Sequence, residues 1–382
     1  MRKISSVFLM ALTPLLVASC LESEVTNNNK DGSQTITVTT GLYVLNNGTA
    51  GQADGSLTHF NFEDLQCRQL LNGTGGVGSA PIEGYTKGDT IFVVCSDENA
   101  IVAVNSKDFS IIGRMSTTAE MGEEEGASPR HIAGYGDNLY FTTHGGYVGV
   151  MSARNLKVNQ KYRVGSGPEG LALGGTSDKR LLYVANSDFG HGDGSVSIIN
   201  LSSGEIEEFK DERLRHPQDV IALSDEFYVL NQGYTAEDGI LQDAGLYRVY
   251  NKTAFQVVPD AMRMTAGMVY LNGYAVGYLI AMYDNPLVRT SKPTYSLFNT
   301  YTRSFTRLSL SGDQGYEITN PSAIAVDPFT GNIIIASRGE SGQAGFANMY
   351  SSSGQFISNT HFQTGIEPCM IGFIIGTKTV TY

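Results

Sequence analysis

Histidine is scarce among the residues of this chain that could move protons or hold a metal. There are six: His59, His131, His144, His191, His216 and His361. None stands at the short spacing of a zinc site. His131, His144 and His191 could approach one another from adjacent repeats, but scattered loop positions are the plainer account, and no metal site is expected. The pair best placed for acid–base work is His131 with Glu169, a combination that some ring-shaped lyases and lactonases use. No Gly-x-Ser-x-Gly elbow, His-Glu-x-x-His helix or phosphate-cradling glycine loop accompanies it. Asp188 and Asp193 share a glycine-rich loop that lacks the alternation and closing glutamate of a calcium loop. Glu123-Glu124-Glu125 reads as a solvated run. The expectation is therefore a binder without catalytic residues.

Loop chemistry says more. Long segments at 46–55, 186–193, 231–244, about 278–293 and 337–345 carry amides, carboxylates and rings in unusual density. The candidate ligand-binding set is Asn46, Asn47, Asp97, His131, His144, Tyr147, Glu169, Asn186, Asp188, Phe189, His191, Asn231, Tyr234, Tyr278, Tyr283, Arg338 and Phe346. Flat rings beside hydrogen-bonding groups suit a medium-sized polar ligand if the loops converge.

What would make them converge is a repeat. One unit opens at Pro168-Glu169-Gly170-Leu171-Ala172-Leu173. It continues through Leu181-Leu182-Tyr183-Val184-Ala185-Asn186 and Gly194-Ser195-Val196-Ser197-Ile198-Ile199-Asn200, and closes at Gly204-Glu205-Ile206-Glu207-Glu208-Phe209. Four short apolar runs separated by turn residues describe a four-stranded antiparallel sheet. The opening run recurs near Pro81, Pro129, Pro217, Thr265-Val269 and Pro321. The second run recurs at Leu42, Ile91, Leu139, Phe227 and Ile333. The interval is roughly 40–55 residues, as in propeller blades. The first unit lacks an opening run, and the C-terminus supplies one at Pro368-Cys369-Met370-Ile371-Gly372-Phe373-Ile374 without a blade to follow. The fold expected is all-β: a seven-bladed β-propeller closed by pairing of the C-terminal strand with the N-terminal blade. The sixth blade, from about Thr265 to Leu308, is the least regular. In this order the loop before each first strand and the loop after each second strand share one face, so the long loops gather around one mouth.

Residues 35–382 are assigned to that domain. Residues 1–19 form a signal peptide: Arg2 and Lys3 precede an apolar stretch that ends at Ala18-Ser19, too short to span a bilayer. Leu16-Val17-Ala18-Ser19-Cys20 resembles a bacterial lipobox, which makes Cys20 the lipidated first residue of the mature chain. Acyl chains add ~0.8 kcal/mol per buried CH₂, so two or more anchor stably. Residues 20–34 are a polar tether. Cys67, Cys95 and Cys369 remain, an odd number at dispersed spacing, and read as small buried hydrophobes of undecided redox state. The net charge of −12 with no basic patch argues against nucleic acid.

Tyr183-Val184-Ala185-Asn186, with its copies Tyr43-Val44-Leu45-Asn46 and Tyr228-Val229-Leu230-Asn231, resembles the repeat of YVTN-type, or YncE-like, propellers over nearly the whole mature chain. With the lipobox, the acidic Glu22 and Glu24 after it, and the long loops, the chain resembles the surface lipoproteins of Bacteroidetes of the BtuG type. That resemblance implies capture of cobalamin or a related corrinoid at the outer membrane, facing the exterior, and transfer to a TonB-dependent transporter. The cobalamin is cargo, with no catalytic cofactor. Arg338 is the residue expected to meet the corrinoid phosphate. Two other classes remain open, an adhesion propeller that binds a glycan or protein, and a propeller lyase or lactonase.

Overall fold

The computed structural model describes residues 33–72, 76–222, 226–265, 269–271, 274–276, 278–282, 293–299 and 302–380. Within them the chain forms seven four-stranded antiparallel sheets. Blade 1 combines Gln34–Asn46, Ser56–Asn61 and Cys67–Leu70 with the C-terminal strand Pro368–Val380. Blades 2 to 7 open, innermost strand first, at Pro81–Lys87, Pro129–Tyr135, Pro168–Gly175, Pro217–Ala222, Ala261–Thr265 and Pro321–Val326. From blade 2 to blade 5 each of these strands packs on the next; Ala261–Thr265 packs on Phe227–Asn231 of blade 5 and on Pro321–Val326, which packs on the C-terminal strand, and that strand in turn meets Pro81–Lys87. The ring closes where Gln34–Asn46 pairs with Pro368–Val380 from Gln34↔Val380 to Asn46↔Pro368. That pairing covers both sheet edges that an open ring would leave exposed.

Why these runs become middle strands is visible in their burial. Leu42-Tyr43-Val44-Leu45 and Ile91, Val93, Val94 and Cys95 have no exposed surface, because sheets cover them on both faces. A strand buried on both sides must be a continuous apolar run, not an alternating one. Between blades 4 and 5 the core is Tyr183, Val196, Phe209, Val220, Phe227, Val229 and Tyr247, and each such large side chain contributes roughly 1.5–3 kcal/mol when fully buried.

Two expectations are corrected. Blade 6 opens at Ala261–Thr265, earlier than the Thr265-Val269 run, and Val269–Leu271 belongs to a separate hairpin with Tyr274–Val276. Its opening strand begins with alanine where the six other innermost strands begin with proline, so the sequence marker is missing. The cysteines are not uniformly buried: Cys95 is enclosed, and Cys67 and Cys369 are half-buried. Burial pushes the Cys95 thiol up to about 12.

Candidate ligand site at the propeller mouth

The innermost strands share a local device. Just after the opening residue, the register slips between Pro81 and Glu83, Pro129 and Ile132, Pro168 and Leu171, Pro217 and Asp219, and Pro321 and Ala323. Proline has no N–H for the ladder, so it suits a strand's first residue. A bulge there re-aims the side chains that follow. In blades 2, 3 and 5 the third residue is Glu83, His131 and Asp219. In blade 4 the second residue is Glu169 and the third is Gly170, where a Cβ would lie 2.2 Å from the Asp219 Oδ1. The glycine leaves room for its neighbour's carboxylate.

These residues form a linked acid–base cluster. His131 Nδ1 lies 3.1 Å from Glu83 Oε2. Arg130 Nε donates to Glu169 Oε2 at 2.8 Å, and His144 Nε2 meets Glu169 Oε1 at 2.9 Å. The His131 backbone N–H donates to Thr142 Oγ1, whose hydroxyl donates to the Glu169 carbonyl, tying blades 3 and 4. Burial alone would raise the Glu169 carboxyl. The hydrogen bond from His144 and the charges of Arg130 and His131 overcome it and hold the group at about 2. Burial works against a charged His131, but its bond to Glu83 and the charges of Glu83, Asp219 and Glu169 raise it above the ordinary histidine value. Asp219 moves the other way from Glu169. Burial pushes it up to about 6, helped by Glu83 and Glu169 and opposed by His131 and the Val220 N–H.

Above this cluster the mouth face holds a concave pocket of about 500 Å³ lined by Asn47, Gln52, Ile82, Asp97, Arg130 and Glu367, among others. Loops of blades 1, 2 and 7 and the openings of blades 2 and 3 supply its walls. Phe189 stands on the same face, 49% exposed, with its ring 5.0 Å from that of His144 and 6.4 Å from His191.

The candidate residues divide. Asn47, Asp97, His131, His144 and Glu169 lie at the pocket or in the cluster beneath it, and Phe189 and His191 lie on the adjoining rim. Asn46, Asn186 and Asn231 do not face a ligand. They are 0 to 1% exposed and tie their strands to neighbouring strands and loops. The Asn186 amide donates to Ser195 and Ser197, and the Asn231 amide to the carbonyls of Arg213 and Asp243. Asn46 donates to Thr58 and accepts from the Gly365 N–H. Phe346 packs into the core at blade 7, with its ring 5.2 Å from His361. Arg338 is engaged by Glu367, with Nε 2.8 Å from Oε2. Asp188 folds its own loop, accepting from the Asp193 N–H. Tyr147 lies under Lys161, and Tyr234 lies under Arg215 and donates to Gln242. Cys20 and Tyr283 lie outside the described residues, as does the side chain of Tyr278.

Glu83, Arg130, Asp219 and Glu367 were missed. The signal available for three of them was a charged residue one or two places after the proline of an otherwise apolar strand, in Pro81-Ile82-Glu83, Pro129-Arg130-His131 and Pro217-Gln218-Asp219.

No family profile and no curated protein matches the sequence. Solved structures do. A hypothetical selenium-binding protein from Sulfolobus tokodaii superposes with a TM-score of 0.62 at 8% identity, covering 88% of this chain and 94% of that one. A candidate 6-phosphogluconolactonase from Bacteroides fragilis gives 0.54 at 15% identity, covering 88% and 98%. AztD from Citrobacter koseri gives 0.52 at 12% identity, covering 90% and 100%. The chain is a β-propeller. At these identities the likeness speaks for the fold and no further.

Proposed function

We propose that the chain captures a polar small molecule at the propeller mouth, and that the molecule is cobalamin or a related corrinoid. The observation that carries this reading is the pocket itself: a rigid ring presents a fixed guanidinium, two carboxylates and an amide around one concavity. A pocket of this size takes the polar side of a corrinoid, with the rest resting on rim loops such as that of Phe189. The lipobox at Cys20 and the family resemblance supply the setting, an outer-membrane anchor facing the exterior and a TonB-dependent transporter as recipient. The chain direction agrees with it, since Gln34–Asn46 begins opposite Val380, at the end of its blade away from the mouth, and runs toward Pro368. The test is calorimetric titration of the soluble chain, starting just after Cys20, with cyanocobalamin. One-to-one binding is expected. No heat at two well-separated temperatures would remove the corrinoid and leave the pocket in need of another ligand.

A second reading has one observation in its favour. Asp219, at about 6 and electrostatically coupled to His131, is poised for proton transfer near neutral pH. A lactone- or ester-cleaving propeller would use such a group, whereas Glu169, at about 2, is too weak a base. Turnover of a lactone by the native chain that Asp219→Asn abolishes would favour the enzyme. Binding without turnover favours capture.

A further inference from the structure

We propose that Arg130 is the anion-recognising residue of the mouth, and that the ligand presents a carboxylate or phosphate group to it. This rests on the capture reading and names the chemistry of that site. Arg130 lines the pocket. Its Nε donates to Glu169 Oε2 at 2.8 Å, and no described residue accepts from either Nη. The clamp cannot swing round to take both edges of the guanidinium, because the second Glu169 oxygen is held by His144 at 2.9 Å. Glu169 is 8% exposed while Arg130 keeps 27%, so the fork is fixed at its inner edge and open at its outer one. A guanidinium oriented in this way offers parallel donors to a planar or tetrahedral anion.

The rest of the lining narrows the ligand. Arg338, the other arginine at this mouth, lies beside Glu367 and does not line the pocket. Asn47 Oδ1 is buried without a described partner, and Asp97 and Glu367 line the same pocket. These groups accept hydrogen bonds. The anion must therefore sit beside donors of its own, hydroxyls, amides or an amine, or the two carboxylates would repel it. A phosphodiester flanked by amide side chains has this chemistry, and so does a hydroxy or amino acid.

The experiment has two arms, on the native chain and on Arg130→Gln and Arg130→Lys. Unfolding midpoints first show which variants fold; lysine keeps a cation beside Glu169 and loses only the fork. In the first arm inorganic phosphate and acetate are titrated against sodium chloride of equal ionic strength, read by NMR shifts of mouth residues. Shifts in the native chain that Arg130→Lys weakens and Arg130→Gln removes support the proposal. No shifts in the native chain, or equal shifts in all three proteins, overturn it. In the second arm cyanocobalamin is compared with dicyanocobinamide, which lacks the nucleotide phosphate. Where cobalamin binds, the native chain should prefer it by about 10- to 100-fold, and the variants should lose most of that preference; an unchanged preference overturns the assignment of Arg130. Where cobalamin does not bind, the corrinoid reading falls and the phosphate arm still judges Arg130.

Discussion

The inner wall of this propeller has two unlike arcs built on one backbone. On blades 2 to 5 the residues after the opening proline are Glu83, Arg130-His131, Glu169-Gly170 and Asp219. On blades 7 and 1 the corresponding residues are Ser322-Ala323 and Cys369-Met370. The slip in register is the same, at Pro81/Glu83 and Pro217/Asp219 as at Pro321/Ala323. The scaffold therefore aims a side chain at the axis in both arcs, and only residue type decides whether an electrostatic site results. Removing a polar group should be costly where it is paired, at Glu169, and cheap at Ser322 in the other arc. Glu169→Gln leaves the Arg130 guanidinium without its anion and weakens the tie to His144. The expected loss is about 3 kcal/mol, toward the lower end for breaking a buried pair because Arg130 and His144 keep 27% and 26% of their side-chain exposure. Ser322 has no exposure and a single 3.4 Å bond to the Ala336 carbonyl, so Ser322→Ala should cost less than about 1 kcal/mol. Urea midpoints of the two variants side by side measure the contrast, and equal losses would dissolve it.

The same contrast explains what was legible in the sequence. Blades could be read because a twice-covered middle strand demands an uninterrupted apolar run, and Leu42 to Leu45 or Phe227 to Leu230 allow few other readings. Closure could be read from an opening strand left over at Pro368. The site was half legible. Asn47, Asp97, His131, His144 and Glu169, which the structure brings to the pocket or the cluster beneath it, could be nominated because polar residues in loops or strand openings invite suspicion. Asn46, Asn186 and Asn231 invited the same suspicion, and the structure buries them away from the pocket. They end their strands, and their amides satisfy neighbouring hydroxyls and carbonyls that no sequence pattern identifies as partners. The neighbour of Arg338 was illegible for a related reason, since Glu367 stands 29 positions further on and meets it only after the ring closes.

Within the charged arc, Asp219 and Glu169 should part with pH. The Asp219 carboxyl is raised to about 6, so the folded chain holds its proton where the unfolded chain, near 3.9, has released it. Its contribution to stability is complete below about pH 4 and is lost as pH rises through 6. Glu169, held at about 2, contributes above the ordinary glutamate range and loses that contribution only as pH falls toward 2. Asp219→Asn should remove the first dependence and leave the second, and at pH 7 it should stabilise the chain by up to about 3 kcal/mol. Melting temperatures at about pH 4.5 and about pH 7, on either side of the raised value of about 6, measure it. A variant that melts in parallel with the native chain at both would mean that Asp219 is not the strained member of the arc.

The smallest expected effect on stability lies at the rim, and it separates binding from folding most cleanly. Phe189 is 49% exposed, and its backbone has φ 51°, a left-handed conformation that costs a phenylalanine more than a glycine. Its ring meets His144 edge-on at 5.0 Å, a contact worth roughly 0.5–1.5 kcal/mol at most. Phe189→Gly relieves the backbone and loses the ring, two changes of similar size and opposite sign, so the melting temperature should barely move. Ligand affinity has no such compensation. If the mouth takes a flat, partly apolar molecule across its rim, removing the ring should weaken binding about 5- to 30-fold, the order expected for one aromatic contact. If affinity is unchanged while Arg130→Gln abolishes it, recognition is confined to the pocket between blades 1, 2, 3 and 7, and the ligand is smaller than a corrinoid.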